Sequence, residues 1–146
     1  MFNEIYFSVE ICIKENMILY ILGDKMILDK FKVDGKIALI TGGTRGIGFS
    51  IAHALGEAGA RLVVTSRTDK YNGVETLKKA GFDVTFFEGD ITKPSTPQKL
   101  IDFILSEKGA LDILVNNAGV AQHGELEEFN DDLLDKIMHT NVDSVF

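Results

Sequence analysis

Leu39-Ile40-Thr41-Gly42-Gly43-Thr44-Arg45-Gly46-Ile47-Gly48 decides how the rest of the chain is read. An apolar strand, Lys36 to Ile40, runs into a glycine turn, and a helix begins at once, ending near Glu57. Ile47, Ile51 and Leu55 recur at i, i+4 and i+8, a one-sided stripe. Glycine suits such a turn because it adopts positive φ and has no Cβ to hold a ligand off. The turn aims the first N–H groups of the helix at one point, where the helix dipole is positive. A phosphate can sit there without a cationic side chain. The stretch therefore reads as a dinucleotide-binding turn, provided a second strand completes a βαβ unit.

That second strand is Arg61-Leu62-Val63-Val64-Thr65-Ser66, set off from the helix by Gly59-Ala60. The usual fingerprint places an acid about 20 residues past the glycines, to hold the ribose 2′-hydroxyl of NAD. Here that position falls on Ser66 and Arg67. A carboxylate would repel a 2′-phosphate and an arginine pairs with it, so NADP(H) is expected over NAD(H). Arg45, inside the glycine turn, can approach the same phosphate, while Asp69 argues the other way. A solvated pair of arginines is the plain alternative.

Further along, Thr68 to Ala80 is polar and helical in tendency, with Val74, Leu77 and Lys78 on one turn. Phe82 to Phe87 is a third strand, followed by Asp90-Ile91. Pro94 to Lys108 carries Leu100, Ile101, Ile104 and Leu105 at helical spacing, and Gly109 stops it. Leu111 to Val115 forms a fourth strand, running into Asn116-Asn117-Ala118-Gly119. The last helical tract, Glu125 to Phe146, is expected to turn Leu126, Phe129, Leu133, Leu134, Ile137 and Met138 toward the core.

The spacing Thr41-Gly42-x-x-x-Gly46-x-Gly48, with Asn116-Asn117-Ala118-Gly119 after a later strand, resembles the short-chain dehydrogenase/reductase family. The resemblance covers residues 26 to 146 and implies the Rossmann-type doubly wound parallel α/β sheet. Its strand order, 3-2-1-4-5-6, leaves a dinucleotide crevice between strands 1 and 4. It further implies that Gly42, Thr44, Arg45, Gly46, Ile47, Gly48, Ser66, Arg67, Asp90, Ile91, Asn117, Ala118 and Gly119 bind the cofactor. Asp90 resembles the Asp that accepts from the adenine amine, Ile91 offers its backbone, and Ala118-Gly119 let the chain approach the ribose. The plain reading of Asp90 is a cap on the next helix. His139-Thr140-Asn141-Val142 matches the family's N-V helix motif, and Asn141 takes the place of the tetrad Asn that holds a relay water. Its plain reading is an interior Asn bonding its own helix. His53, His123 and His139 read as surface or packing residues.

In the family, the remaining tetrad members, a Ser and a Tyr-x-x-x-Lys pair, come after the next strand. None of Tyr6, Tyr20 and Tyr71 is followed by Lys at the fourth residue; those places hold Glu10, Asp24 and Glu75. The chain is thus expected to be the cofactor half of an oxidoreductase that exchanges a hydride with a carbonyl or hydroxyl carbon, truncated and inactive alone. A non-catalytic NADP-binding module and a non-functional gene fragment are the alternatives. A bare fourth-strand edge would favour self-association.

The 146 residues bound these readings. One domain is the natural count. A formal charge of −7 argues against nucleic acid or an anionic membrane as partner. Cys12 is the single cysteine, so no internal disulfide forms, no Cys/His metal site is expected, and the cytoplasm is the default compartment. The first 25 residues differ from the rest: Ile5, Phe7, Val9, Ile11 and Ile13 alternate with more polar neighbours, and the apolar run Met17 to Leu22 is too short for a span. Residues 1–25 are therefore a doubtful extension, with Met26 a candidate start ahead of a 26–146 dinucleotide-binding portion. The partners expected are a small-molecule substrate and, by likeness to the family, a second copy of the chain.

Overall fold

The computed structural model describes residues 27–122 and 130–146. The chain divides into two compact units, residues 1–32 and 33–146. In the first, the described residues form one 3-10 turn, Ile27–Phe31, with an Asp29–Lys32 ion pair at 2.6 Å. The alternating residues 5–13 and the run 17–22 lie outside the described residues.

The second unit is a four-stranded, wholly parallel sheet: β1 (Ile37–Thr41), β2 (Arg61–Ser66), β3 (Val84–Glu88) and β4 (Ile113–Val115), in spatial order β3-β2-β1-β4. The expected doubly wound order is present through its fourth strand. Parallel neighbours need crossovers, and helices α1 (Gly46–Glu57), α2 (Gly73–Lys79) and α3 (Thr96–Lys108) supply them. Side chains alternate across a strand, so each sheet face has its own core. Ala38, Ile40, Leu62, Val64 and Val84 pack with Ala52, Val74 and Leu77 of α1 and α2. Ile37, Leu39 and Val63 pack with Leu100 and Ile104 of α3. β1 is buried along its whole length, which is why it reads as an unbroken apolar run rather than an alternating one.

The helices depart from expectation in instructive ways. α1 buries Gly48 and Ala52, with Ile51 and Leu55 half-buried, while Ile47 is 75 % exposed and leaves the expected stripe. The reason is close approach: a Cβ on Gly48 would strike the Gly42 carbonyl oxygen and the Asn117 side-chain amide. α2 starts at Gly73 rather than Thr68, because Asp69 turns back to cap it: its Oδ1 accepts from the Gly73 N–H at 2.8 Å and its Oδ2 from the Val74 N–H at 3.1 Å. β3 begins at Val84, two residues late, and Phe82 packs on Gly56 and edge-on to His53 instead. α3 starts at Thr96, with Pro97 in its first turn, and Gly109 ends it at φ 84°.

The last tract needs the largest correction. Its helix, α4, spans only Asp131–Asn141, opened by the Asn130 side chain accepting from the Leu133 N–H at 2.9 Å. None of its residues is buried; Leu134 and Met138 are 52 % and 46 % exposed, and Leu133 and Ile137 half-buried. It packs mainly against the following 3-10 turn, Asp143–Val145, rather than against a strand, so its apolar side stays partly exposed. Leu126 and Phe129 lie outside the described residues.

Candidate functional site

The site lies beyond the carboxyl ends of the strands, where the chain leaves β1 for α1 and β4 for the Asn117 loop. Ligands of open parallel sheets bind outside the carboxyl ends of the strands, between the two strands where the order reverses, here β1 and β4. Thr41, the last residue of β1, holds the two loops together. Its Oγ1 donates to the Val115 carbonyl at 3.3 Å and accepts the amides of Asn117 and Ala118, each at 3.0 Å. The Asn117 side chain in turn donates from Nδ2 to the Thr41 carbonyl at 2.8 Å. The first position of the motif, Thr41, thus sets the distance between its two halves. Spacing alone gives Thr41 a place in the motif but no contact in the site; its burial beside a second loop becomes visible only when β4 pairs with β1.

The glycine turn fits a phosphate. Gly42 and Gly46 take φ of 67° and 56°, where a side chain would be strained. Gly46 faces open space, with nothing within 4 Å of where a Cβ would stand. The residue capping α1, Arg45, makes no side-chain cap, and the first turn holds no acid, so the first-turn amides are left to a ligand.

A cavity of about 630 Å³ opens over this turn. Gly42, Thr44, Arg45, Gly46, Ile47, Gly48, Ser66, Arg67, Asp90, Ile91, Asn117, Ala118 and Gly119 all line it, so every residue expected to bind cofactor meets in one place. On the β2 side, Thr44 Oγ1 donates to Ser66 Oγ at 3.1 Å, and Ser66 Oγ donates to the Thr68 carbonyl at 2.7 Å, fixing the chain that carries Arg67. Thr65 also lines the cavity, and its buried hydroxyl has no hydrogen-bond partner in the protein.

Asp90 does not cap α3; Ser95 holds that place. Its Oδ1 accepts from the Thr92 hydroxyl at 2.8 Å and the Thr92 amide at 3.1 Å. The Thr92 hydroxyl above all, with the Arg67 and Lys93 charges behind it, holds the Asp90 carboxyl below its ordinary range. Asp90 is therefore a fixed acceptor at neutral pH.

Asn141 does not line the cavity. Its Oδ1 accepts from the Val120 amide at 2.8 Å and its Nδ2 donates to the Val120 carbonyl at 2.9 Å. It bonds across to the Asn117 loop, not back into its own helix as the plain reading had it. His139 is exposed but lines the cavity, with Nε2 at 3.1 Å from the Thr92 carbonyl and Nδ1 at 3.2 Å from Asp143. Lys70, Tyr71, Lys136 and Thr140 also line it, and sequence reasoning passed them over. His123 lies outside the described residues. Among the described residues no group of three or more His, Cys, Asp or Glu could hold a metal, and no helix is long and apolar enough to cross a membrane.

Comparison with known proteins agrees with this geometry. A short-chain dehydrogenase/reductase of Pestalotiopsis microspora is 38 % identical over 119 residues, covering 80 % of this chain and 45 % of its own. Among solved structures, the chain is similar to RhlG of Pseudomonas aeruginosa in an NADP active-site complex (37 % identity, TM-score 0.73, 80 % of this chain and 46 % of that one). It is also similar to a gluconate 5-dehydrogenase of Burkholderia cenocepacia in complex with NADP and tartrate (36 % identity, TM-score 0.74, 83 % and 48 %). The chain spans about half the length of the curated relatives it matches. With residues 36–146 matching the short chain dehydrogenase family, a glycine turn, a parallel β3-β2-β1-β4 sheet and an Asn-Asn-Ala-Gly loop on one cavity, the chain belongs to that family.

Proposed function

We propose that the chain is the NADP(H)-holding part of an oxidoreductase that exchanges a hydride with a carbonyl or hydroxyl carbon of a small molecule. One observation carries the cofactor choice. At the end of β2 the cavity presents Arg67, Arg45 lines the same cavity, and the acid nearby, Asp69, has both oxygens committed to the Gly73 and Val74 amides. A 2′-phosphate therefore meets guanidinium groups, with that carboxylate turned away into a helix cap. The NADP complexes of the two similar structures support the same reading.

The glycine turn and the α1 amides take the pyrophosphate, Asp90 and Ile91 the adenine, and Asn117, Ala118 and Gly119 the ribose toward the nicotinamide. When bound, the nicotinamide ring supplies the hydride chemistry. Asn141, which joins α4 to the Asn117 loop through Val120, takes the relay role in this reading by likeness to the family's N-V helix motif alone. The Ser and the Tyr-x-x-x-Lys pair that complete the tetrad in the family are not among these 146 residues. A cytoplasmic setting, consistent with a single cysteine, and a homo-oligomer by family likeness complete the proposal.

Fluorescence titration of the chain with NADPH and NADH tests it. NADPH is expected to bind at least tenfold more tightly. A charged hydrogen bond contributes about 1.5–3 kcal/mol, so Arg67→Ala should weaken NADPH roughly tenfold to a hundredfold and leave NADH nearly unchanged. Equal affinity for the two nucleotides in the wild-type chain overturns the assignment.

A further inference from the structure

The segment between β2 and α2 is more rigidly built than a surface connection needs. Thr44 and Ser66 pin its start through the Thr68 carbonyl. Asp69 and the Asn72 amide close a turn, with the Asn72 N–H on the Asp69 carbonyl at 3.1 Å. Asn72 itself stands in the left-handed region at φ 53°, the single such residue apart from glycine among those described. Asparagine tolerates that conformation better than other side chains do, which lets the segment turn tightly here. Gly73 then packs so closely on the glycine turn that a Cβ there would run into the Thr44 carbonyl oxygen.

This folding-back sets Tyr71 at the cavity mouth, 61 % exposed yet part of the lining. The Arg45 guanidinium carbon lies 6.0 Å and the Lys70 ammonium 5.9 Å from the centre of its ring. An aromatic face attracts a cation at such a distance, more weakly in water than when desolvated. Arg45 and Lys70 come from different loops, and Tyr71 is the group they share. Without it both are long side chains free to wander in solvent, and each must give up rotamer freedom on phosphate binding.

We infer that Tyr71 is a positioning residue for cofactor choice, its ring holding Arg45 and Lys70 over the cavity mouth so that, with Arg67, they form a three-cation seat for the ribose phosphate. The inference rests on the NADP(H) reading and deepens it: Lys70 becomes a phosphate ligand, and Tyr71 sets the selectivity without itself bonding the phosphate. The cluster also accounts for the aromatic side chain, which buries little and caps nothing.

Isothermal titration of the full chain with 2′,5′-ADP and with 5′-AMP separates this from the reading it rests on. Two exposed cation–π contacts at about 0.5–1 kcal/mol each correspond to roughly a fivefold to thirtyfold effect. Tyr71→Leu is expected to weaken 2′,5′-ADP by that factor while 5′-AMP stays within about twofold, and Tyr71→Phe, which keeps the ring, to restore wild-type selectivity. In an Arg45→Gln, Lys70→Gln background, Tyr71→Leu is expected to do nothing further. Equal weakening of both nucleotides, no weakening, failure of Phe to rescue, or an undiminished effect in the charge-free background each overturns the role of Tyr71. If the wild-type chain fails to prefer 2′,5′-ADP over 5′-AMP, the NADP(H) reading falls and Tyr71 falls with it.

Discussion

Thr41 carries more of the site than its size suggests. One hydroxyl receives two backbone amides and donates to a third group, all from the β4 side, and only 6 % of the residue is exposed. Thr41→Val keeps the shape and removes the oxygen, leaving two amides without their acceptor. Unsatisfied buried groups cost about 1–3 kcal/mol, so urea unfolding should show a loss in that range, with NADPH binding weakened as well. A stability unchanged within about 0.3 kcal/mol would mean water replaces the hydroxyl. At this scale the sequence was generous with the glycine turn, since Gly42, Gly46 and Gly48 are constrained by conformation or by contact within a few residues. It marked Thr41 as a motif position but not its bonds to the second loop, and it gave no sign of Tyr71 or Lys70, because those partners come from loops far along the chain or from ring contacts that no spacing rule encodes.

Element boundaries followed the same division between local and distant causes. β2 is found where its β-branched run lies, and α3 ends where Gly109 allows φ 84°. The start of α2 lies later than the polar tract suggests because Asp69, which in the sequence bears only on the cofactor choice, is bonded in the folded chain to Gly73 and Val74. α4 misled for another reason: an apolar stripe of Leu133, Leu134, Ile137 and Met138 signals a helix, but not which surface covers it. Losing a cap of the Asp69 kind costs about 1 kcal/mol. Asp69→Ala should therefore lower the unfolding midpoint and loosen the segment holding Lys70 and Tyr71, which amide hydrogen exchange at Gly73 and Val74 can follow. Unchanged protection there would show that packing, not the carboxylate, starts the helix.

Across the molecule, charge is arranged to close the end of the sheet away from the site. Asp83, just ahead of β3, accepts from Arg61 Nε at 2.8 Å and from Lys108 Nζ at 2.9 Å, joining β2, β3 and the end of α3. The Arg61 hydrogen bond first, and that of Lys108 second, hold its carboxyl below the ordinary carboxylate range. A depressed folded pKa means that the stabilisation is present above the unfolded value and lost as pH falls through the folded one. The gap in stability between wild type and Asp83→Asn should thus be full at pH 7 and close below about pH 4. Asp83 is half exposed, so screening limits the gap to under about 1 kcal/mol. A gap that persists at pH 2.5 would assign it to shape rather than charge.

β1 joins two neighbours of very different reach: Ala38 pairs with Leu62 nearby in the chain, and with Ile113 far along it. Closing the longer span costs more chain entropy, and distant pairings slow folding. The glycine turn can organise with the early pairing, whereas the Asn117 loop arrives only with the late one. A nucleotide touching both loops would then act as a fastener on the final step of assembly, adding its binding energy where the chain has most freedom left to lose.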